Sequence, residues 1–293
     1  MGYIVFTDTS SNLPSDMLES LGVEVVPFSY FVDGQETKCL DTRSFNGDEY
    51  YGAIKKGVQV TTAQVPPQRY IDYFTPVLEQ GQDILFISMS SGISGSCDSA
   101  RIAAEELKER FPLRTVRIID TLAASLGEGI VVLRAAELHN AGVTLSRATE
   151  ELNALSRRVC QVFTVDDLMH LRRGGRLSNL SAVVGTVLHI KPILIGNEEG
   201  KIFAVAKLRG RKRSIEALAE RYDALAVNPE EQIVGIAHAG CREDADKLAE
   251  LLNKNHPPKE ILIVDYEPMT GAHVGPGALA LFFVGSDDVR SVR

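Results

Sequence analysis

The sequence predicts an α/β protein in two parts. An N-terminal α/β domain on a parallel sheet precedes a C-terminal α+β domain on a mixed, mostly antiparallel six-stranded sheet. Three observations carry this expectation. Up to about residue 155, short apolar runs alternate with segments of helical spacing, the pattern of a parallel doubly wound unit. Beyond that point strand candidates dominate and helices thin out. No low-complexity linker or internal repeat divides the chain, so residues 1–155 and 156–293 are expected to pack tightly, with the cleft between them as the default ligand site.

In the first part, Ile4-Val-Phe6 reads as a strand ending in Thr7-Asp-Thr-Ser-Ser-Asn12, and Pro14 opens a helix to about Leu21. Val23–Val26 and Phe28–Val32 are further strands, the latter closed by the hairpin dipeptide Asp33-Gly34. Phe45 to Lys56 has helical spacing and stops at Gly57, after which Val60 to Pro67 reads as a polar connection. A helix over Gln68–Gln80 leads to the apolar strand Ile84-Leu-Phe-Ile87. Ala100, Ala103, Ala104, Leu107 and Phe111 then mark one face of a helix. Arg114–Ile119 is the next strand, and Leu122 to His139 a long helix whose Gly127 and Gly129 imply close packing or a ligand.

The second part offers six strands: Val159–Val165, Pro192–Gly196, Lys201–Leu208, Gln232–Ala237, Glu260–Tyr266 and Ala278–Val284. Its helices are Asp166–Arg173, Asn179–His189, Lys212–Ala224 and Glu243–Asn255.

Bulk properties narrow the function. Hydrophobic residues at 44% and charged residues at 24% describe an ordinary globular protein, and a net charge of −8 argues against a broad nucleic-acid surface. No run approaches a membrane-spanning length, and the N-terminus enters a strand without a basic or apolar leader, so a cytoplasmic protein without stable membrane insertion is expected. Cys39, Cys97, Cys160 and Cys241 lie about 60 to 80 residues apart with no C-x-x-C pair, which argues for reduced thiols and against a metal site.

The stretch richest in chemistry is Ser88-Met-Ser-Ser-Gly-Ile-Ser-Gly-Ser-Cys-Asp-Ser-Ala100. A strand, a Gly/Ser turn and a helix N-terminus together offer outward amide groups and the positive end of a macrodipole to an anion. Thr61 and Thr62 are either plain β-formers or donors to the same ligand. Asp8 stands at the carboxyl end of the first strand, but Ser10 replaces the second acid of a D-x-D phosphatase motif, which leaves Asp8 to cap turns or orient hydroxyls. The run His170 to Ser178 carries three arginines around a Gly-Gly break, and Lys207 to Arg213 is a denser basic cluster suited to a solvated turn, a phosphate or an acidic partner. His273-Val-Gly-Pro-Gly277 sets His273 at the mouth of a sharp turn. The sequence contains no G-x-S-x-G elbow, G-x-G-x-x-G, Walker loop or H-E-x-x-H, which favours binding over catalysis and names no catalytic residue.

These elements in this order resemble the bacterial DegV family. The resemblance rests on Thr7 to Pro14, Thr62-Ala-Gln-Val-Pro66, Ser90 to Ser96, Leu171 to Leu177, Ile190-Lys-Pro-Ile193, Lys207-Leu-Arg-Gly210 and His273 to Gly277, and it runs over nearly the whole chain. It implies a long-chain fatty acid, such as palmitate, stearate or oleate, in a tunnel between the two domains, with no cofactor. It also implies a carrier role for a separate fatty acid kinase subunit that phosphorylates the carboxylate. By position, Thr62, Ser94 and the Gly95 amide would hold the carboxylate, Arg209 and His273 would lie at the mouth, and Asp8, Ser10 and Arg176 would give support. The chain departs from the family's usual run at Ala63-Gln-Val-Pro66, where Ser-Gln-Pro-Ser is common, and at Ser96-Cys97, where Thr-Tyr is usual. Two rivals of other classes remain: an enzyme acting on a small carboxylated or phosphorylated metabolite through Asp8, Ser94 and His273, and a lipid-responsive regulator using the basic cluster around Arg209.

Overall fold

The computed structural model describes residues 2–38, 41–178, 190–287 and 289–291. Strand β1 (Tyr3–Asp8) leads through helix α1 (Ser15–Leu21) to β2 (Glu24–Val26). A hairpin of β3 (Ser29–Val32) and β4 (Gln35–Lys38) follows, turned by Asp33 and Gly34, both at positive φ as a type I′ turn requires. Helix α2 (Gly47–Lys55) precedes β5 (Val60–Ala63), and α3 (Pro67–Glu79) precedes β6 (Asp83–Ser88). Helix α4 (Ser96–Arg110), β7 (Val116–Asp120), α5 (Leu126–Asn140) and α6 (Leu145–Arg158) complete this half.

Strands β2-β1-β6-β7 form a parallel sheet in that order. β1 and β6 are buried along almost their whole length, as expected where helices cover both faces of a parallel sheet. A second sheet, β4-β3-β5, is antiparallel. Val60–Ala63 is therefore a strand where the sequence suggests only a polar connection. Its burial alternates at period two, too short a signal to read without the β3 partner that supplies its ladder.

The second half runs β8 (Val159–Thr164), α7 (Leu168–Arg173), β9 (Ile190–Gly196), β10 (Ile202–Arg209), α8 (Arg211–Leu225), β11 (Ile233–His238), α9 (Arg242–Asn255), β12 (Glu260–Asp265), α10 (Pro268–Val274) and β13 (Leu279–Val284). The sheet order is β10-β9-β8-β13-β11-β12. Every neighbouring pair is antiparallel except β11 with β12, so the expected mixed six-stranded sheet is present. The helix expected over Asn179–His189 lies outside the described residues, as does Cys39.

Helix α5 joins the halves. It packs against β1 and β6 of the parallel sheet and against β8, β11 and β13 of the mixed sheet. Accordingly it is apolar on nearly every side, with Leu126, Val131, Val132, Ala135 and Ala136 all buried. Its glycines are explained by packing: a Cβ on Gly127 would sit 3.0 Å from Phe282 Cδ1, and one on Gly129 2.8 Å from the Ser11 carbonyl. One continuous core includes Leu85 and Val132 together with Phe163 and Ala280.

Three local expectations change. Helix α5 starts at Leu126, not Leu122, because residues 121–125 are held in another shape by distant partners. Ser90 N–H donates to Ala123 O, Ala124 N–H to Gln161 Oε1, and Arg290 Nη1 to Leu122 O, with Leu122 and Ser125 both at φ 54°. The His273 turn belongs to α10, which is too short for a periodic signal and is capped by Glu267, whose carboxylate accepts the Met269 and Thr270 amides at 2.6 Å each. Helix α6, which the sequence reading passes over, is capped by Thr144 and buries only a narrow stripe of Ala148, Leu152 and Ser156.

Candidate functional site

The serine loop follows β6, the strand beside β1, at the point where the chain has wound to both sides of the parallel sheet. Its hydroxyls divide into two groups. Ser90 is fully buried and donates to Gly200 O at 2.9 Å, which fixes the loop to the β9–β10 hairpin. Ser94 is half-buried and donates to Ser96 Oγ at 3.0 Å. Ser96 Oγ in turn accepts the Val65 amide at 3.1 Å, so the loop is tied to the chain just after β5. The Gly95 amide has no acceptor among the described residues.

Opposite Ser94, β5 presents Thr62 and α10 presents His273. Thr62 Oγ1 lies 2.8 Å from His273 Nε2 across 211 residues of sequence. Burial disfavours the imidazolium, and the charge of Arg176 adds to the effect, so the His273 pKa is lowered to about 4 and the ring is neutral at physiological pH. A second histidine, His170, anchors α7 to the same helix through Nε2 and the Ala272 carbonyl, 2.6 Å apart. Arg176 reaches back to Ile93 O at 3.3 Å and to Gly174 O at 2.5 Å, with no acidic partner among the described residues.

These groups border one cavity. Thr62, Ser94, Gly95, Arg176 and His273 line it together, and its remaining wall is mostly apolar: Phe28, Met89, Ile93, Phe163, Leu171 and Phe282 among others. The wall draws on both halves, since Phe28 and Met89 flank β3 and β6 while Phe163 and Phe282 lie on β8 and β13. Five of the sequence-derived residues are thus brought to one place. Asp8 and Ser10 are not on this wall but lie buried at the end of β1, where Asp8 Oδ1 accepts the Ser10 amide at 2.9 Å and caps the turn. Arg209 is exposed at the end of β10 and does not line the cavity.

Gln64, Gln161 and Glu128 escaped the sequence reading. Gln64 stands in the motif after Thr62, and its Oε1 would lie 2.1 Å from a Cβ on Gly95, so the glycine lets the two segments meet. Gln161 projects from a strand of otherwise apolar pattern, which is the signal that marks it.

The DegV family model matches residues 3–286. This chain belongs to the DegV family. A DegV domain-containing protein of Clostridium perfringens is 36% identical over 97% of both chains. A DegV family protein of Thermus thermophilus, whose structure describes fatty acid binding, superposes with a TM-score of 0.88 at 30% identity, covering 98% of this chain and all of that one. DegV of Bacillus subtilis, a fatty acid binding protein, gives 0.85 at 28% identity with 98% and 100% covered. Among the described residues of this DegV protein, no helix is long and apolar enough to cross a membrane, and no cluster of three metal-ligating side chains occurs.

Proposed function

We propose that this protein binds a long-chain fatty acid in the cavity between its two halves and holds the carboxylate with Thr62, Ser94 and the Gly95 amide. The observation that carries this reading is the convergence of one charged and several polar donors at an otherwise apolar cavity. A buried carboxylate needs charge-assisted hydrogen bonds, and here a hydroxyl on β5, a hydroxyl and a free amide at the α4 N-terminus, and the Arg176 guanidinium stand ready. For Thr62 to give its one proton to the ligand, His273 Nε2 must carry the hydrogen and donate to Thr62 Oγ1. Ser94 must turn from Ser96 toward the carboxylate. The tail is held by burial, at about 0.8 kcal/mol per methylene, so a long chain dominates the affinity.

The protein acts as a carrier in the cytoplasm, and a separate ATP-dependent kinase phosphorylates the carboxylate it presents. The sequence offers no nucleotide-binding loop of its own. Arg209 and the exposed basic residues around it supply the face for that partner.

Lipid extracted from purified protein and analysed by mass spectrometry should contain a long-chain fatty acid. Protein that carries none and also fails to bind added oleate or palmitate would overturn the reading. Combined Thr62→Ala and Ser94→Ala should weaken fatty-acid affinity at least about 100-fold, since each hydrogen bond to a charged group contributes about 1.5–3 kcal/mol and two are removed. An unchanged affinity would place the carboxylate elsewhere.

A further inference from the structure

Below the serine loop lie two carboxyls that carboxylate binding does not use. Asp8 at the end of β1 and Glu128 in α5 are both fully buried. The Ser10 hydroxyl is 2.5 Å from Asp8 Oδ1 and in hydrogen-bond contact with Glu128 Oε2 as well. A hydroxyl has one proton to give. If Ser10 donates to one carboxyl, the other contact requires a proton on the carboxyl itself. On the far side of Glu128 no further proton is needed: the Thr7 hydroxyl lies 2.9 Å from Glu128 Oε1, to which it donates, and 3.2 Å from Ile87 O. Asp8 is already committed as an acceptor, with Oδ1 taking the Ser10 amide at 2.9 Å and Oδ2 the Met89 amide at 3.3 Å. The missing proton therefore belongs to Glu128.

The ionisable groups that face the pair from neighbouring elements are Tyr70 on α3 and Glu267 ahead of α10, and neither supplies positive charge. Burial holds Glu128 well above the usual carboxylate range, and the nearby Asp8 carboxyl adds to that. Desolvation also pushes Asp8 up to about 6.

We propose that Asp8, Ser10 and Glu128 form a proton-sharing latch that positions the serine loop, and that fatty-acid affinity depends on the proton held by Glu128. The link to affinity rests on the function proposed above; the shared proton and the loop do not. Removing that proton sets two negative charges across one hydroxyl in a dry site, and relief requires β1 and α5 to part. Asp8 holds the amide of Met89, the first residue beyond β6, and Met89 and Ser94 border the same cavity. Movement of Asp8 is thus passed to the loop that meets the ligand.

The test compares the wild type with Glu128→Gln and Asp8→Asn. Ligand-free wild type at neutral pH should show the infrared band of a protonated carboxyl, and Glu128→Gln should lose the part of it that Glu267, pushed up to about 7 by burial, does not supply. The backbone amide resonance of Met89 should titrate in the alkaline range in the wild type and stay flat in Glu128→Gln. Affinity for cis-parinarate should fall at least about tenfold from pH 7 to about pH 10 in the wild type, and less than about twofold in Glu128→Gln, which cannot lose a proton. Asp8→Asn removes the like charge and should move the Met89 midpoint to lower pH, an outcome that decides the matter even if Glu128→Gln fails to fold. A missing carboxyl band, an unshifted midpoint or identical pH profiles would overturn the proposal. Wild type that binds no parinarate at neutral pH counts against the fatty-acid reading, and the infrared and Met89 signals then decide the latch alone.

Discussion

A neutral imidazole at His273 makes the polar end of the cavity sensitive to acid. The folded protein holds this ring at a pKa of about 4, below its ordinary 6.5, so the unfolded chain binds more protons between those values. Stability from this group is present above pH 6.5 and is lost as the pH falls through that window. Thermal unfolding followed from pH 7 to about pH 4 should show His273→Gln losing less stability than the wild type over the acid range. Gly95 is a second single-residue dependence. A Cβ there would meet Gln64 Oε1 at 2.1 Å, but Gln64 is a flexible side chain that can swing away. Gly95→Ala should therefore fold with a nearly unchanged melting temperature while binding fatty acid several-fold more weakly, as a titration with fluorescent ligand would show.

Elements meet at the serine loop. Gly92 faces the β9–β10 hairpin so closely that a Cβ would lie 2.5 Å from Glu199 O and 2.6 Å from Gly200 C, and backbone cannot step aside as a side chain can. Gly92→Ala should lower the melting temperature and weaken ligand binding together, since the loop must move off the hairpin that Ser90 ties it to. The same loop shows how far sequence can be read at this scale. Strand, turn and helix N-terminus were legible from Ile84 to Leu107 because each has its own periodicity. The strand carrying Thr62 was not, because four residues of alternating burial gain their meaning from β3.

Across the whole molecule, α5 is the layer that the parallel and the six-stranded sheets share, and Phe282 of β13 packs against it. Its ring is 1% exposed, borders the cavity and lies against the space a side chain on Gly127 would need. Phe282→Ala should cost about 3–5 kcal/mol in denaturant unfolding, at the upper end if the space it leaves does not collapse. A cost below about 1 kcal/mol would show that the halves are not joined through this layer.

The sequence by itself determined the order of most elements, the change from parallel to mostly antiparallel pairing, the strand, turn and helix of the serine loop, and membership of the DegV family. These are properties of segments, and a segment's periodicity and turn residues report its own burial. Only the tertiary structure decided that Thr62 meets His273 from 211 residues away, that α5 begins at Leu126, and that Glu128 shares a hydroxyl with Asp8. The last two depend on the packing of both halves against α5. Burial there holds Glu128 well above the usual carboxylate range, and no local pattern around Gly127 and Gly129 announces it.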